Sequence, residues 1–342
     1  MDNIIQLIEG WVAAGSIPGA VIDISVGGHT RLQQAFGGYR LSSSEEKKAL
    51  TLDSLFDIAS LTKVTATLPA VMLLVSRGQM KLEDQVQRYF PEFRHPQVTV
   101  RHLLQHSSGL PPDLPKVDRL EARDVMREVF EQELIYETGT QVKYSDLGFI
   151  LLGAAVERIT GERLNEFVRR EIHLPLGMNH TTFLPKAKDR YRIAPTEEYN
   201  GAFIHGEVHD EKSYQLGGVS GSAGLFATAA DLARYGRSWL PANPSVLPEE
   251  WRRRCITEPF LGRGLGWEIW HGQASAPSCS SHWPHGSFGH TGFTGTSLWI
   301  EPVSGLVVVF LTNAVHYGRA TPIRELRPLL HQSIYSSIHG VK

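Results

Sequence analysis

Ser60-Leu61-Thr62-Lys63 stands at the front of an apolar run, Ser60 to Arg77, that carries Val64, Leu68, Val71, Met72, Leu74 and Val75 and stops at Gly78. Apolar residues fall on most faces of that run, so it is expected to be a helix inside the protein rather than on its surface. Ser60 and Lys63 are three positions apart, which stacks their side chains on one face of the first turn. A hydroxyl beside an amine can act as a nucleophile with its base. The helix N-terminus adds partial positive charge for an oxyanion formed beside Ser60. The same four residues also describe an ordinary helix start, with a serine near the cap and a lysine reaching water. The rest of the chain has to decide.

Outward from this run, strands occur toward both ends and helices between them. Residues 2–14 suggest a helix ended by Gly15 and Pro18. Ala20 to Val26 follows as a strand, Gly27-Gly28 as a turn and Thr30 to Phe36 as the hairpin partner. Residues 37–55 form a polar connection, loosest over Ser42 to Lys48. Helical signals cover 100–105, 119–132, 146–159, 163–171 and 230–239. Strand character returns at 266–270, 296–301 and 306–312, and a last helix is expected over about 319–337. The first hairpin and the last strands cannot each stand alone. One antiparallel sheet built from both ends, flanked by helices, with an inserted mainly helical lobe, is therefore the expected α+β fold. Residues 1–80 and 240–342 would form the sheet lobe and 81–239 the helical lobe, a single catalytic unit with its cleft between them.

Composition narrows the function. The 342 residues are 42% hydrophobic and 20% charged with net charge -2, so no basic surface argues for nucleic acid. No run approaches the ~18 apolar residues of a membrane span. The start, Met1-Asp2-Asn3-Ile4, lacks the pattern of a leader. That places the chain in the cytoplasm as given, or outside the cell had a leader been removed. Cys255 and Cys279 are too few for a disulfide framework, and whether they pair cannot be read from sequence. His205 and His209, beside Glu207 and Asp210, and the later His282, His285 and His290 fit no metal motif, so no metal is expected. There is no G-x-S-x-G, P-loop or dinucleotide fingerprint. Trp267, Trp270, Trp283 and Trp299 are expected in the core or the cleft wall, and His106-Ser107-Ser108-Gly109 as a structural turn.

Two further stations matter. Tyr144-Ser145-Asp146 precedes the apolar helix beginning at Leu147, where a tyrosine beside an ammonium could carry a proton. His290-Thr291-Gly292-Phe293 precedes the strand at 296–301, where a glycine lets backbone approach a substrate. S-x-x-K, then Y-x-(N/D), then (K/H)-T-G, in that order, resembles serine β-lactamases and penicillin-binding proteins, and in particular the class C branch with its DD-peptidase and esterase relatives. Val100-Arg101-His102-Leu103-Leu104-Gln105-His106-Ser107-Ser108-Gly109-Leu110, Leu174-Pro175-Leu176-Gly177-Met178 and Gly224-Leu225-Phe226-Ala227-Thr228 extend the resemblance over nearly the whole length.

The resemblance implies that Ser60 is acylated, that Lys63 takes or shares its proton as a partly desolvated neutral amine, and that Tyr144 passes the proton on. It implies an oxyanion hole from the backbone N–H groups of Ser60 and Phe293, and substrate contacts from Asp146, His290, Thr291 and Gly292. Asp146 stands where the best-known members have asparagine, and it could stabilise Lys63 as a cation or select a substrate carrying a donor. His290 stands where many have lysine, which removes a fixed positive charge from the carboxylate subsite. Both departures point toward a peptidase, amidase or esterase rather than an efficient β-lactamase. The segment 194–221 resembles a subgroup associated with cell-wall peptides, with Gly217, Gly218 and Gly221 expected on the cleft rim. A serine hydrolase acting on peptide amides, D-amino-acid peptides or small esters, without metal or organic cofactor, is the expectation. A penicillin-binding sensor that is acylated but not released, or a true β-lactamase, are its alternatives. The partner is a small molecule or peptide, and oligomeric state is not set by sequence.

Overall fold

Leu306–Thr312 is the strand that joins the two ends of the chain. The computed structural model describes residues 1–42, 46–241, 243–272 and 278–340. In it, β1 (Gly19–Val26), β2 (His29–Tyr39), β3 (Lys48–Ala49), β4 (Glu268–Ile269), β5 (Phe288–Thr291), β6 (Ser297–Glu301) and β7 (Leu306–Thr312) form one seven-stranded sheet in the order β3-β2-β1-β7-β6-β5-β4. Every neighbouring pair is antiparallel. β1 meets β7 from Ala20 opposite Thr312 to Val26 opposite Leu306, so the α+β sheet expected from both ends is what forms.

The two-residue period of β7 divides the interior. Val307, Val309 and Leu311 join a large core with the central helix, whereas Leu306, Val308 and Phe310 join a second core. That second core is closed by α1 (Asp2–Ala13), through Ile4, Ile8 and Trp11, and by the C-terminal helix Ile323–His339, through Leu330 and Ile334. Both faces of β7 are covered, which is why it reads as a continuous apolar run rather than an alternation. Trp267, Trp270, Trp283 and Trp299 are all buried in these cores.

Several boundaries differ from the expectation. The helix expected over 119–132 is only Val125–Glu131, capped by Asp124, whose carboxylate accepts the Arg127 N–H at 3.0 Å. The helix expected over 163–171 is Leu164–Val168 running into a π-turn, Arg169–His173. The last helix starts at Ile323, behind Pro322, rather than at 319. Very short strands escape a periodicity argument: Phe56–Asp57, Thr182–Phe183 and Leu225–Ala227 make a second, three-stranded sheet, and a small hairpin pairs Glu198–Tyr199 with Ala202–Phe203. Of the loose run expected over Ser42 to Lys48, residues 43–45 lie outside the described residues. Cys255 and Cys279 are both free and buried. Among the described residues no helix is long and apolar enough to cross a membrane.

Candidate active site

Ser60 is set on a turn that the backbone does not adopt freely. Ala59, before it, has φ +46°, a left-handed conformation that costs a non-glycine residue about 1 kcal/mol or more. The buried Asp57 holds that turn: its carboxylate accepts the Ala59 N–H at 2.8 Å and the His209 N–H at 2.7 Å. Burial pushes the Asp57 carboxyl up, and those two backbone donors oppose it. Asp57 is a positioning residue that sequence reasoning missed, because nothing in a lone aspartate before a serine signals it.

After Ser60 the chain turns helical, but the central helix is not regular. A π-turn spans Lys63–Thr67 before the α-helix Leu68–Ser76. π-turns inside helices recur at functional sites. Here the widened turn carries Lys63, whose amine lies fully buried. It donates to Ser60 Oγ at 3.0 Å and to the Ser222 carbonyl at 2.8 Å. Asp146 Oδ1 lies 2.6 Å away as an ion-pair partner, and the Tyr144 and Phe149 rings lie 5.1 and 5.8 Å from the amine to their centroids.

Tyr144 and Asp146 arrive together because residues 144–146 are pinned. The Ser145 N–H donates to His106 Nδ1 at 3.1 Å, Ser145 Oγ donates to the Pro111 carbonyl at 2.6 Å, and Asp146 begins the helix Asp146–Thr160. A carboxylate in that first turn is favoured by the helix dipole. The His106 ring lies against Tyr144 with centroids 4.5 Å apart and the planes tilted by 34°. The expected turn at 106–109 is therefore also the seat of the tyrosine, a role that became visible only in three dimensions. The Tyr144 hydroxyl is buried and has no hydrogen bond of good geometry, yet Lys63 and Ser60 are close enough to act on its ionisation.

His290, Thr291 and Gly292 approach from β5. Among the described residues only Phe288 and Gly289 of β5 pair with the short β4, and His290 and Thr291 run on past that pairing. Gly292 has to be glycine for packing reasons: a Cβ there would sit 2.1 Å from Thr296 Oγ1 and 2.4 Å from the Ile58 carbonyl. Thr294 Oγ1 donates to the Asp57 carbonyl at 2.7 Å and Thr296 Oγ1 to the Ile58 carbonyl at 3.1 Å. The turn carrying Phe293 is thus fastened to the two residues just ahead of the Ser60 turn. The buried Arg327 donates to the Gly292 carbonyl at 2.6 Å and the Thr296 carbonyl at 3.1 Å. Phe293 itself is half exposed, its ring stacked on His209.

The electrostatics refine the expectation for Lys63. Burial alone would push its amine down, but the Asp146 carboxylate and then Tyr144 outweigh burial, so its pKa is raised and the ammonium is favoured. Burial also raises the Tyr144 phenol, with Lys63 opposing and Asp146 adding to it. The resting pair is therefore an ammonium and a neutral phenol, not the free amine that desolvation by itself suggested. His290 lies well below its ordinary value, first through burial and then through Arg263 and Lys63. It is a neutral imidazole whose Nδ1 lies 2.8 Å from the Thr291 carbonyl. The positive charge missing at position 290 is present nearby. Arg263, Arg324 and Arg327 line the same cleft, of about 760 Å³, as Ser60, Tyr144, Asp146 and His290. The Arg263 guanidinium lies 5.8 Å from the Tyr144 ring centroid.

One expectation is corrected. Gly217, Gly218 and Gly221 do not line the cleft; of the segment 216–223 only Ala223 does. Gly221 instead packs on the helix Asp146–Thr160, where a Cβ would sit 2.0 Å from the Phe149 carbonyl, and its own carbonyl accepts Thr67 Oγ1 at 2.7 Å. His205 and His209 do not converge on a common point for a metal: His205 Nε2 lies 2.9 Å from the Ile193 carbonyl, and His209 Nε2 lies 2.8 Å from Glu197.

The sheet, the contact of Ser60 with the buried Lys63 and the Tyr144 station together define an α+β fold of the β-lactamase and penicillin-binding type. The beta-lactamase family model matches residues 4–332, and the chain belongs to that family. It is 32% identical to the N-acetylmuramyl-L-alanine amidase of Bacillus subtilis (strain 168), with 91% of this chain and 80% of that protein covered. It is also 32% identical to a putative D-alanyl-D-alanine carboxypeptidase of Escherichia coli (strain K12), covering 94% and 78%. Solved structures share the fold at lower identity. A class C beta-lactamase superposes with TM-score 0.75 at 21% identity over 100% of this chain and 97% of that one. EstCE1, a hydrolase with promiscuous acyltransferase activity, does so with TM-score 0.75 at 22% identity over 96% and 98%.

Proposed function

We propose that this protein is a serine hydrolase that works through a Ser60 acyl-enzyme on cell-wall-type peptide amides, D-amino-acid peptides or small esters. The observation that carries the reading is the contact of the buried Lys63 amine with Ser60 Oγ at 3.0 Å, with Tyr144 against the same amine. Ser60 Oγ attacks the substrate carbonyl carbon. The reactive form is the fraction in which the Lys63–Tyr144 pair has given up one proton to solvent. That pair takes the Ser60 proton and delivers it to the departing amine or alkoxide as the carbonyl–leaving-group bond breaks. The backbone N–H groups of Ser60 and Phe293 stabilise the oxyanion, held in place by the Asp57 and Ile58 fastenings. A water then attacks the acyl carbon and gives one proton to the same pair, which returns it to Ser60 Oγ as the acyl–Oγ bond breaks and the acid leaves.

The lobes of 1–80 with 240–342 and of 81–239 supply the two sides of this cleft. Asp146, Thr291 and Gly292 hold the substrate, and the neutral His290 leaves its anionic end to the arginines. Relatives named as a muramyl amidase and as a carboxypeptidase support the peptide class. Slow release, the alternative of an acylated sensor, is decided by the same experiment. Intact mass and product release are followed with D-Ala-D-Ala peptides, muramyl peptides, p-nitrophenyl esters and penicillin G. Continuous turnover, lost in Ser60→Ala together with the acyl adduct, is the expected result. An adduct that persists in Ser60→Ala places the nucleophile elsewhere, and a single stoichiometric burst makes the protein a binder.

A further inference from the structure

Behind Asp146 lies a second buried lysine that the reaction scheme does not use. Lys212 sits on the short helix Glu211–Gln215 with its side chain 6% exposed. Its ammonium reaches Asp113 Oδ1 at 2.7 Å, Asp210 Oδ2 at 3.0 Å and Asp146 Oδ2 at 3.6 Å. Asp146 is therefore shared, one oxygen toward Lys63 and the other toward Lys212. We propose that Lys212 is a positioning residue that sets, through the shared Asp146 carboxylate, how tightly the Lys63–Tyr144 pair holds its proton. The inference rests on the proposed Ser60 mechanism.

A carboxylate divided between two ammonium groups stabilises each less than it would stabilise one alone. Charges facing Lys63 and Tyr144 come from Asp146 on one side and from Arg263, with the neutral His106 and His290, on the other. Charges facing Lys212 are Asp113, Asp146 and Asp210. Those three outweigh the burial that would lower its amine, so Lys212 is held as a cation. Removing Lys212 leaves Asp146 wholly to Lys63, which raises the proton affinity of Lys63 and of Tyr144 alike. The sign does not depend on which of the two receives the Ser60 proton. Removing the charge of Asp146 or of Asp113 works in the opposite sense.

The test is the pH dependence of Ser60 labelling by a fluorophosphonate, whose rising limb reports the base. Lys212→Met is expected to move that limb up by about one pH unit, the size of a nearby-charge effect. Lys212→Arg is expected to restore it. Asp146→Asn is expected to move it down, and Asp113→Asn down by less. A folded Lys212→Met protein with an unmoved limb overturns the proposal. If that variant does not fold, Asp113→Asn decides: its carboxylate is half exposed, and an unmoved limb there overturns the proposal as well. A wild-type protein never labelled at Ser60 would sink the parent mechanism instead, a result seen before any variant is made.

Discussion

Lys63 and Arg327 are both cations buried beside the same cleft, and the protein treats them in opposite ways. Lys63 meets a carboxylate at 2.6 Å, which keeps it charged despite complete burial. Arg327 meets two backbone carbonyls, and burial followed by the neighbouring Arg324 lowers its pKa to about 9, with Glu268 opposing. The side of the cleft around Lys63 is closed by ion pairs running through Asp146 to Lys212, Asp113 and Asp210. The side around His290 carries arginines and neutral imidazoles. A proton relay requires groups that exchange a proton at little cost, and paired charges supply them. A subsite for an anion requires positive charge left unspent, and arginines bonded to carbonyls, or with no ion-pair partner among the described residues, supply that.

The largest break in this contrast comes at Lys63. Lys63→Met keeps most of the volume but removes the amine from Ser60 and from Asp146, and acylation is expected to slow by roughly 10² or more. Stopped-flow acylation by a p-nitrophenyl ester measures it. An unchanged rate would mean that Ser60 finds its base elsewhere.

Acid sharpens the contrast next, because neutral buried histidines resist charging while paired lysines do not. His173, whose Nε2 lies 3.2 Å from the Thr65 carbonyl in the π-turn, is lowered by burial to about 4, and His331 by burial and then Arg327 to about 3. Their folded values lie below the unfolded value of about 6.5. The unfolded chain therefore binds more protons as pH falls, and stability drops with it. This contribution is whole above about pH 6.5 and declines through pH 4 and 3, each histidine taking about 1.4 kcal/mol per pH unit while only the unfolded form titrates. Urea unfolding at pH 7.5, 5.5 and 4.5 tests the slope; stability that stays flat across this range would show that these imidazoles charge freely.

How far sequence carried these conclusions depended on whether a feature was periodic or chemical in one stretch. Leu306–Thr312 was legible because an unbroken apolar run has one simple home, a strand covered on both faces. Ser60, Lys63, Tyr144 and His290 were legible because their spacing matches a known order of motifs. Asp57, His106, Arg263 and Lys212 were not. Each acts through a partner far along the chain: Asp57 on His209, His106 on Ser145, Arg263 on Tyr144, Lys212 on Asp113 and Asp146. No local pattern announces such a pairing. The charge absent at His290 read in sequence as a weakened carboxylate subsite, because the arginines that face it lie 27 or more positions away.

That relocation of charge yields the two smallest predictions. If Arg263 holds the substrate's anionic end, Arg263→Gln raises KM for carboxylate-bearing peptides about tenfold, the value of one charged hydrogen bond, and leaves a neutral ester unchanged. Equal losses on both substrates would assign Arg263 to the support of Tyr144 instead. His290→Lys puts a positive charge at this position, yet it sets an ammonium in a buried place beside Arg263. Repulsion and desolvation then offset most of the attraction, so KM for carboxylate substrates improves only a few-fold. In the Arg263→Gln background the same lysine loses its repelling neighbour, and the gain is larger. A gain equal in both backgrounds would mean that the two positions serve separate subsites, and that the positive wall is two sites rather than one.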